Sequence, residues 1–155
     1  MSLTHVSPEG DARMVQVGEK SVTARSATAE GWVRLSGEAL TQVVERRAKK
    51  GDVLTIAQIA GIQGAKRTAE WIPLCHPLIL DGVEVIIEVV SDALRVQATV
   101  SCTGRTGVEM EALTAVTAAC LTVYDMLKAV DRSIRIEGIR LLEKSGGRSG
   151  HWRAP

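Results

Sequence analysis

Aromatic residues are scarce in this sequence of 155 residues. They make up 3% of the chain, with three Trp, one Tyr and no Phe. Proteins that bind RNA or single-stranded DNA usually stack bases on aromatic side chains. The formal net charge is only +1, so there is no strong positive field to attract a polyanion. We therefore expect no nucleic-acid binding.

Cysteines are too few and too scattered for a disulfide framework or a zinc site. The three, Cys75, Cys102 and Cys120, include no C-x-x-C pair. Such a set is typical of reduced cytosolic thiols, and we predict no bound metal. The sequence also lacks a signal-peptide pattern and any uninterrupted apolar run of about 18 residues. We expect a soluble, cytoplasmic protein that does not bind membranes.

The length and composition fit a single globular domain. Hydrophobic residues make up 45% and charged residues 24%, which is typical of soluble proteins. Residues 1–28 lack sustained periodicity and are predicted to form a flexible arm that contributes to the site. Residues 29–143 are predicted to form the catalytic domain, and residues 144–155 a flexible, glycine-rich tail.

Hydrophobic periodicity predicts a mixed order of strands and helices. The predicted elements are a strand at 31–35, helices at 36–51 and 53–66, strands at 83–89 and 94–100, a helix at 106–130 and a strand at 134–142 with a bulge at Gly138. This order indicates an α+β fold, the ferredoxin-like split βαβ plait, with an antiparallel sheet and helices on one face. We expect the other face to expose apolar side chains that a second subunit covers.

Two segments carry side chains suited to acid–base chemistry. Prolines at both ends of 73–77 stiffen the chain around Cys75 and His76, which fits either a pocket wall or a rigid connector. Asp125 and Lys128 lie on one helical face. They form either a surface ion pair or an acid–base couple.

Other charged residues have both structural and functional interpretations. Thr106 and Glu109 fit a capping box at the start of the long helix. The segment 61–68 is similar to a phosphate loop but is not a Walker A motif. The basic residues of interest are Lys20, Arg25, Lys50, Lys66, Arg67, Lys128 and Arg148. Together they suit a small molecule that carries several phosphates.

Several segments recur in the same order in one protein family. They are Lys-Lys-Gly-Asp-Val at 49–53, Ile-Ala-Gly-Ile at 59–62, Ala-Lys-Arg-Thr at 65–68, Ile-Pro-Leu-Cys-His-Pro-Leu at 72–78, Gly-Val-Glu-Met-Glu-Ala-Leu-Thr at 107–114, Tyr-Asp-Met at 124–126 and Lys-Ser-Gly-Gly at 144–147. On these residues the chain resembles the cyclic pyranopterin monophosphate synthases of molybdenum cofactor biosynthesis. The resemblance extends over about residues 4–150.

This resemblance implies a lyase that needs no cofactor. Its substrate would be (8S)-3',8-cyclo-7,8-dihydroguanosine 5'-triphosphate, and its products cyclic pyranopterin monophosphate and pyrophosphate. The resemblance further implies a ferredoxin-like fold in a homohexamer, a trimer of dimers, with each site at a dimer interface. It also implies functional pairing with the radical enzyme that makes the substrate.

The resemblance also implies which residues form the site. Asp125 would be catalytic, with Lys128 as its essential partner. The residues implied to bind the substrate are Leu74, Cys75, His76, Glu109, Met110, Glu111, Lys20, Arg25, Lys50 and Lys66. If Lys50 and Asp125 meet across subunits, mixing variants at these two positions should restore activity.

Two positions depart from the family pattern. Gln16 stands where the family usually has Asp, and an amide cannot take up a proton as a carboxylate does. Arg148 replaces the commoner Lys, which keeps the charge but changes the donor geometry. The alternatives are a catalytically silent family member and a plait-type module that binds RNA or a regulatory ligand. A nucleophilic Cys75 is disfavoured, because adjacent residues of an extended segment point in opposite directions.

Overall fold

The computed structural model describes residues 4–155. Its elements in chain order are β1 (Thr23–Arg34), α1 (Gly37–Val44), α2 (Val53–Lys66), α3 (Thr68–Trp71), β2 (Gly82–Val90), β3 (Ala93–Gly104), α4 (Glu109–Leu127), β4 (Arg135–Ser145) and β5 (Trp152–Arg153). Asp52 caps α2 by accepting a hydrogen bond from the Thr55 backbone N–H, as its position before an apolar helix predicts.

The strands form one antiparallel sheet in the order β2-β3-β1-β4-β5. β1 pairs with β3 on one side and β4 on the other, and β2 pairs with β3. α2 lies between β1 and β2 in sequence, and α4 connects β3 to β4. This topology confirms the predicted α+β, ferredoxin-like fold.

α4 forms the centre of the core. Its residues Val116, Ala119 and Val123 are fully buried, and the helix packs against α2 and the sheet. Gly64 of α2 permits a close approach, because a Cβ there would lie 2.6 Å from the Ala118 Cβ. By length and composition alone α4 could span a membrane, but 61% of its apolar window is buried inside the protein. It is therefore accounted for as a core helix.

The boundaries of several elements differ from the predictions. β1 begins at Thr23, within the range predicted as an arm, because β3 and β4 supply its hydrogen bonds. α1 ends at Val44, well before Gly51. β5 lies within the range predicted as a tail and pairs with the end of β4. The β1 pairings join residues far apart in sequence, so local patterns do not reveal them.

Two local predictions around α4 and β4 had different outcomes. The capping box is wrong: α4 begins after Val108, no side chain among residues 4–155 caps it, and Glu109 instead pairs with Lys144. The bulge is confirmed, because Gly138 has φ +62° and the register between β1 and β4 shifts opposite it.

The face of the sheet opposite α4 is largely polar, contrary to the prediction. Glu30 on this face is only 5% exposed. The Nε groups of Arg95 and Arg140 each donate to one of its carboxylate oxygens at 2.9 Å. Burial disfavours the Glu30 carboxylate, but these two arginines outweigh it and lower its pKa. Ion pairs between side chains of the central strands therefore stabilise this face of the sheet. Its exposed aliphatic residues include Ile86 on β2.

Candidate active site

A cavity of about 340 Å³ opens at the N-terminal end of α4. It contains seven of the predicted site residues: Lys20, Leu74, Cys75, His76, Glu109, Met110 and Glu111. Three of these residues, Glu109, Met110 and Glu111, form the first turn of α4. The N-terminal segment completes the wall with residues that include His5, Val15 and Val17.

The segment after α2 brings Cys75 and His76 to this cavity. The buried Thr68 hydroxyl donates to the Ala65 carbonyl oxygen at 2.9 Å, which holds α3 close to the end of α2. The Cys75 backbone N–H then donates to the Ile72 carbonyl oxygen at 3.1 Å. The proline-bounded segment therefore forms a pocket wall, as one of its two interpretations predicted.

Glu111 is the most perturbed carboxyl of this cavity. Its residue is 4% exposed, and no salt bridge to it occurs among residues 4–155. Burial raises the pKa of Glu111 to about 7, its own backbone N–H opposes the shift, and the charge of Glu109 adds to it. Near neutral pH this carboxyl can therefore both donate and accept a proton.

The Cys75 thiol is unsuited to nucleophilic attack. Burial, with a smaller contribution from the charge of Glu111, raises its pKa. A thiol in this environment stays protonated at neutral pH, whereas the thiolate is the nucleophile. This agrees with the sequence argument against a nucleophilic Cys75.

A second, basic cavity of about 970 Å³ adjoins the first. Both are lined by Lys20, Thr106, Gly107 and Glu109. The cationic residues that line the second cavity are Lys20, Arg25, Arg105, Lys144 and Arg148. Only Glu19 and Glu109 oppose them in its wall, so the cavity is suited to an anion.

The predicted site residues include neither Lys144 nor Arg105, although the Lys-Ser-Gly-Gly segment at 144–147 belongs to the family resemblance. Lys144 lies at the end of β4, and its Nζ is 2.8 Å from the Glu109 Oε1. Arg105 lies in the connection between β3 and α4, in the segment Gly-Arg-Thr-Gly. Its place four residues before Glu109 was the available sequence signal.

Asp125, Lys128 and Lys50 form a separate cluster at the other end of α4. The Asp125 carboxylate lies 2.9 Å from the Lys128 Nζ and 2.7 Å from the Lys50 Nζ. Hydrogen bonds from Lys128 and then Lys50 lower the pKa of Asp125 to about 2, and Asp125 in turn raises the pKa of Lys128. Asp125 therefore holds two ammonium groups side by side and remains ionised at neutral pH.

The two clusters are far apart within one chain. Asp125 follows Glu111 by fourteen residues of α4, which is about 21 Å along a helix. Lys66 lines neither cavity and lies beside a groove formed with Ile62 and residues 78–83. Because Lys50 contacts Asp125 in the same chain, mixing variants at these two positions does not test contact across subunits. That expectation from the sequence is corrected.

Metal ligands do not cluster in the described part of the chain. Among residues 4–155 there is no group of three or more His, Cys, Asp or Glu side chains placed to hold a metal ion.

Comparison with known proteins identifies the family of this chain. The model of the MoaC family matches residues 14–147. A protein from Chloroflexus aurantiacus is 55% identical over 155 residues, which cover 99% of this chain and 95% of the relative. A relative from Novosphingobium aromaticivorans is 56% identical over 152 residues, covering 98% and 97%. A relative from Methylobacterium sp. is 58% identical over 155 residues, covering 99% and 97%. All three relatives are named cyclic pyranopterin monophosphate synthase, and this chain belongs to the MoaC family.

Proposed function

We propose that the protein is a lyase of molybdenum cofactor biosynthesis. It converts (8S)-3',8-cyclo-7,8-dihydroguanosine 5'-triphosphate to cyclic pyranopterin monophosphate and pyrophosphate. The observation that carries the proposal is the buried Glu111 carboxyl, poised near neutral pH, directly beside a cavity with five cationic residues. The high identity to relatives that carry this name supports the same conclusion.

The two cavities match the two parts of the substrate. Rebuilding a purine as a pterin requires repeated proton transfers, which a carboxyl with a pKa near 7 performs well. The first cavity, with Glu111 and His76, therefore takes the ring system. The second cavity takes the triphosphate, because its lysines and arginines neutralise phosphate charge.

Closure of the cyclic phosphate uses the basic cavity. A sugar hydroxyl oxygen bonds to the innermost phosphorus, and the bond from that phosphorus to the bridging oxygen breaks. The hydroxyl proton passes to a nearby base, and pyrophosphate leaves with the bonding electron pair. Cations around the leaving group stabilise the charge that develops on it.

The Asp125 cluster is proposed to complete the site of a neighbouring subunit. In one chain it lies about 21 Å from Glu111 along α4, too far for both to contact the same reacting ring. A homohexamer built as a trimer of dimers, with the site at the dimer interface, would bring the clusters together. Asp125 would then be the residue that orients Lys50 and Lys128 toward the substrate.

The terminal segments are proposed to form part of the site around the single catalytic domain. Within the predicted arm, residues that include Val15, Val17 and Lys20 line the first cavity. Within the predicted tail, Arg148 and Ser149 line the second. We further propose a cytoplasmic enzyme that receives its substrate from the radical enzyme making the cyclised nucleotide.

Turnover is the direct test of this function. The purified protein is incubated with enzymatically prepared cyclised dihydro-GTP, and pyranopterin and pyrophosphate are measured together. Both products should form in equal amounts with the wild type and fall sharply with Glu111→Gln or Lys128→Ala. Pyrophosphate without pyranopterin would contradict the proposed reaction.

A catalytically silent member is the second candidate, and Gln16 is the observation that favours it. The Gln16 side chain lines the basic cavity, and the family that the sequence resembles usually has a carboxylate at this position. Substrate binding without turnover, followed by gain of activity in Gln16→Asp, would identify this case. Product formation by the wild type, with no increase in rate in Gln16→Asp, would contradict this second candidate.

A further inference from the structure

Arg25 and Arg105 connect two segments of the basic cavity by crossed hydrogen bonds. The Nε–H of Arg25, on β1, donates to the Gly104 carbonyl oxygen at 2.9 Å. The Nε–H of Arg105, the residue after Gly104, donates to the Lys20 carbonyl oxygen at 3.2 Å. Each arginine thus uses its inner nitrogen to bind a backbone carbonyl of the other segment: Arg25 binds the residue before Arg105, and Arg105 binds Lys20, five residues before Arg25.

This use of Nε leaves the outer nitrogens of both guanidinium groups for a ligand. Neither arginine has a carboxylate within salt-bridge distance among residues 4–155, whereas the neighbouring Lys144 is paired with Glu109. Both side chains line the same cavity. A planar guanidinium offers two parallel N–H donors that match two oxygens of a phosphate.

The glycine-rich loop lies directly over Arg25. Gly147 has φ +73°, and a Cβ at this position would lie 2.1 Å from the Arg25 Nη1. Glycine therefore allows the loop to pass close to the guanidinium and to bring Arg148 into the same cavity. Three guanidinium groups consequently surround one space, with Lys20 at its border to the first cavity.

We propose that Arg105 and Arg25 form a two-guanidinium clamp for the leaving pyrophosphate. Arg105 also holds Lys20 in position by its hydrogen bond to the Lys20 carbonyl oxygen. This inference rests on the proposed function, because pyrophosphate is the leaving group only in that reaction. Neither the sequence motifs nor the family resemblance pointed to Arg105.

A diphosphate suits the clamp better than a single phosphate. The cavity of about 970 Å³ presents Lys20, Arg25, Arg105 and Arg148 without carboxylate partners among the described residues. Two guanidinium groups can each engage a separate phosphoryl group of pyrophosphate. Orthophosphate carries less negative charge and only one phosphoryl group, so it should bind more weakly.

Calorimetric titration with inorganic pyrophosphate tests the clamp without turnover. The full-length protein in its native assembly is titrated in magnesium-free buffer as wild type, Arg105→Gln, Arg105→Lys and Arg135→Gln. Arg135 is an exposed arginine outside both cavities, so Arg135→Gln controls for the loss of one positive charge. Orthophosphate is titrated in parallel as the single-phosphate ligand.

Arg105→Gln should raise the Kd for pyrophosphate by roughly 10- to 100-fold, the usual range for losing a hydrogen bond to a charged group. Arg105→Lys should lie between Arg105→Gln and wild type, because lysine keeps the charge but not the paired donors. Arg135→Gln should stay within about twofold of wild type. A Kd for Arg105→Gln equal to that of Arg135→Gln would overturn the clamp.

Turnover separates failure of the clamp from failure of the proposed function. If the wild type makes pyranopterin and Arg105→Gln binds pyrophosphate normally, the function stands and the clamp is wrong. If Arg105 controls pyrophosphate binding but no pyranopterin forms, the anion site stands and the proposed function fails. Should Arg105→Gln fail to assemble, Arg105→Lys decides: wild-type melting temperature with weakened pyrophosphate binding supports the clamp, and unchanged binding overturns it.

Discussion

The Lys144 Nζ lies 2.8 Å from the Glu109 Oε1 and joins the end of β4 to the first residue of α4. Glu109 lines both cavities, and Lys144 lines the basic one. The ion pair therefore lies at the boundary between the region assigned to proton transfer and the region assigned to phosphate binding. Gly107 leaves room for it, since a Cβ at Gly107 would overlap the Glu109 carboxylate.

A double-mutant cycle on this pair should show a direct interaction. Lys144→Ala and Glu109→Ala are each expected to lower stability, and the double variant should lose less than the sum of the two. We expect a coupling energy of about 1 kcal/mol, the upper range for a partly exposed pair. Urea unfolding of the four proteins measures it, with Lys49→Ala as the control for a lysine with no carboxylate contact among residues 4–155. A coupling energy near zero would contradict the pairing.

Glu111 should make stability fall as pH rises from about 4.5 to 7. Its pKa in the folded protein is about 7, above the ordinary value of 4.5. The folded state therefore binds this proton more tightly than the unfolded state does. The resulting contribution to the free energy of unfolding is fully present below pH 4.5 and is lost as pH rises through 7. Relative to Glu111→Gln, the wild type should lose roughly 3 kcal/mol between pH 4.5 and 8. Urea unfolding at both pH values checks this, and a stability difference independent of pH would contradict it.

Activity should recover when lesions in the two clusters are combined in one oligomer. In a dimer of Asp125→Ala with Glu111→Gln, one site carries both lesions and the other carries neither. Random mixing should therefore restore about one quarter of wild-type activity. Lys50→Ala mixed with Asp125→Ala is the control, because both residues belong to one cluster and every site stays damaged. Turnover after co-refolding measures both mixtures, and no recovery in the first would argue against a shared site.

Gly64→Ala should destabilise the protein even though alanine favours helices. The new Cβ would lie 2.6 Å from the Ala118 Cβ and 3.1 Å from the Thr114 carbonyl oxygen. Both are held by α4, so α2 must move away, at a net cost of about 1–3 kcal/mol. Gly37→Ala is the matched control, since no atom lies within 4 Å of its added Cβ. Urea midpoints of the two variants provide the comparison, and equal midpoints would refute the close helix contact.

Local patterns predicted α2 and the alternating strand β3 well. The Asp52 cap and the apolar spacing of α2 act within one or two turns, and the inward residues Leu94, Val96 and Val100 of β3 are fully buried. β1 was predicted too short because its first half, Thr-Ala-Arg-Ser-Ala-Thr, has little apolar alternation. It is a strand because β3 and β4, on its two sides, form hydrogen bonds with its backbone N–H and C=O groups.

The sequence by itself determined the order of elements, the α+β class and the residue types of the site. Helical spacing brought Asp125 to Lys128, and the prolines identified Cys75 and His76, because these effects act over a few residues. Only the tertiary structure decided that Lys50 joins Asp125 from 75 positions away, that Lys144 meets Glu109, and that Arg105 lines the basic cavity. Such contacts depend on which strand and helix ends pack together, and that packing is a property of the whole fold.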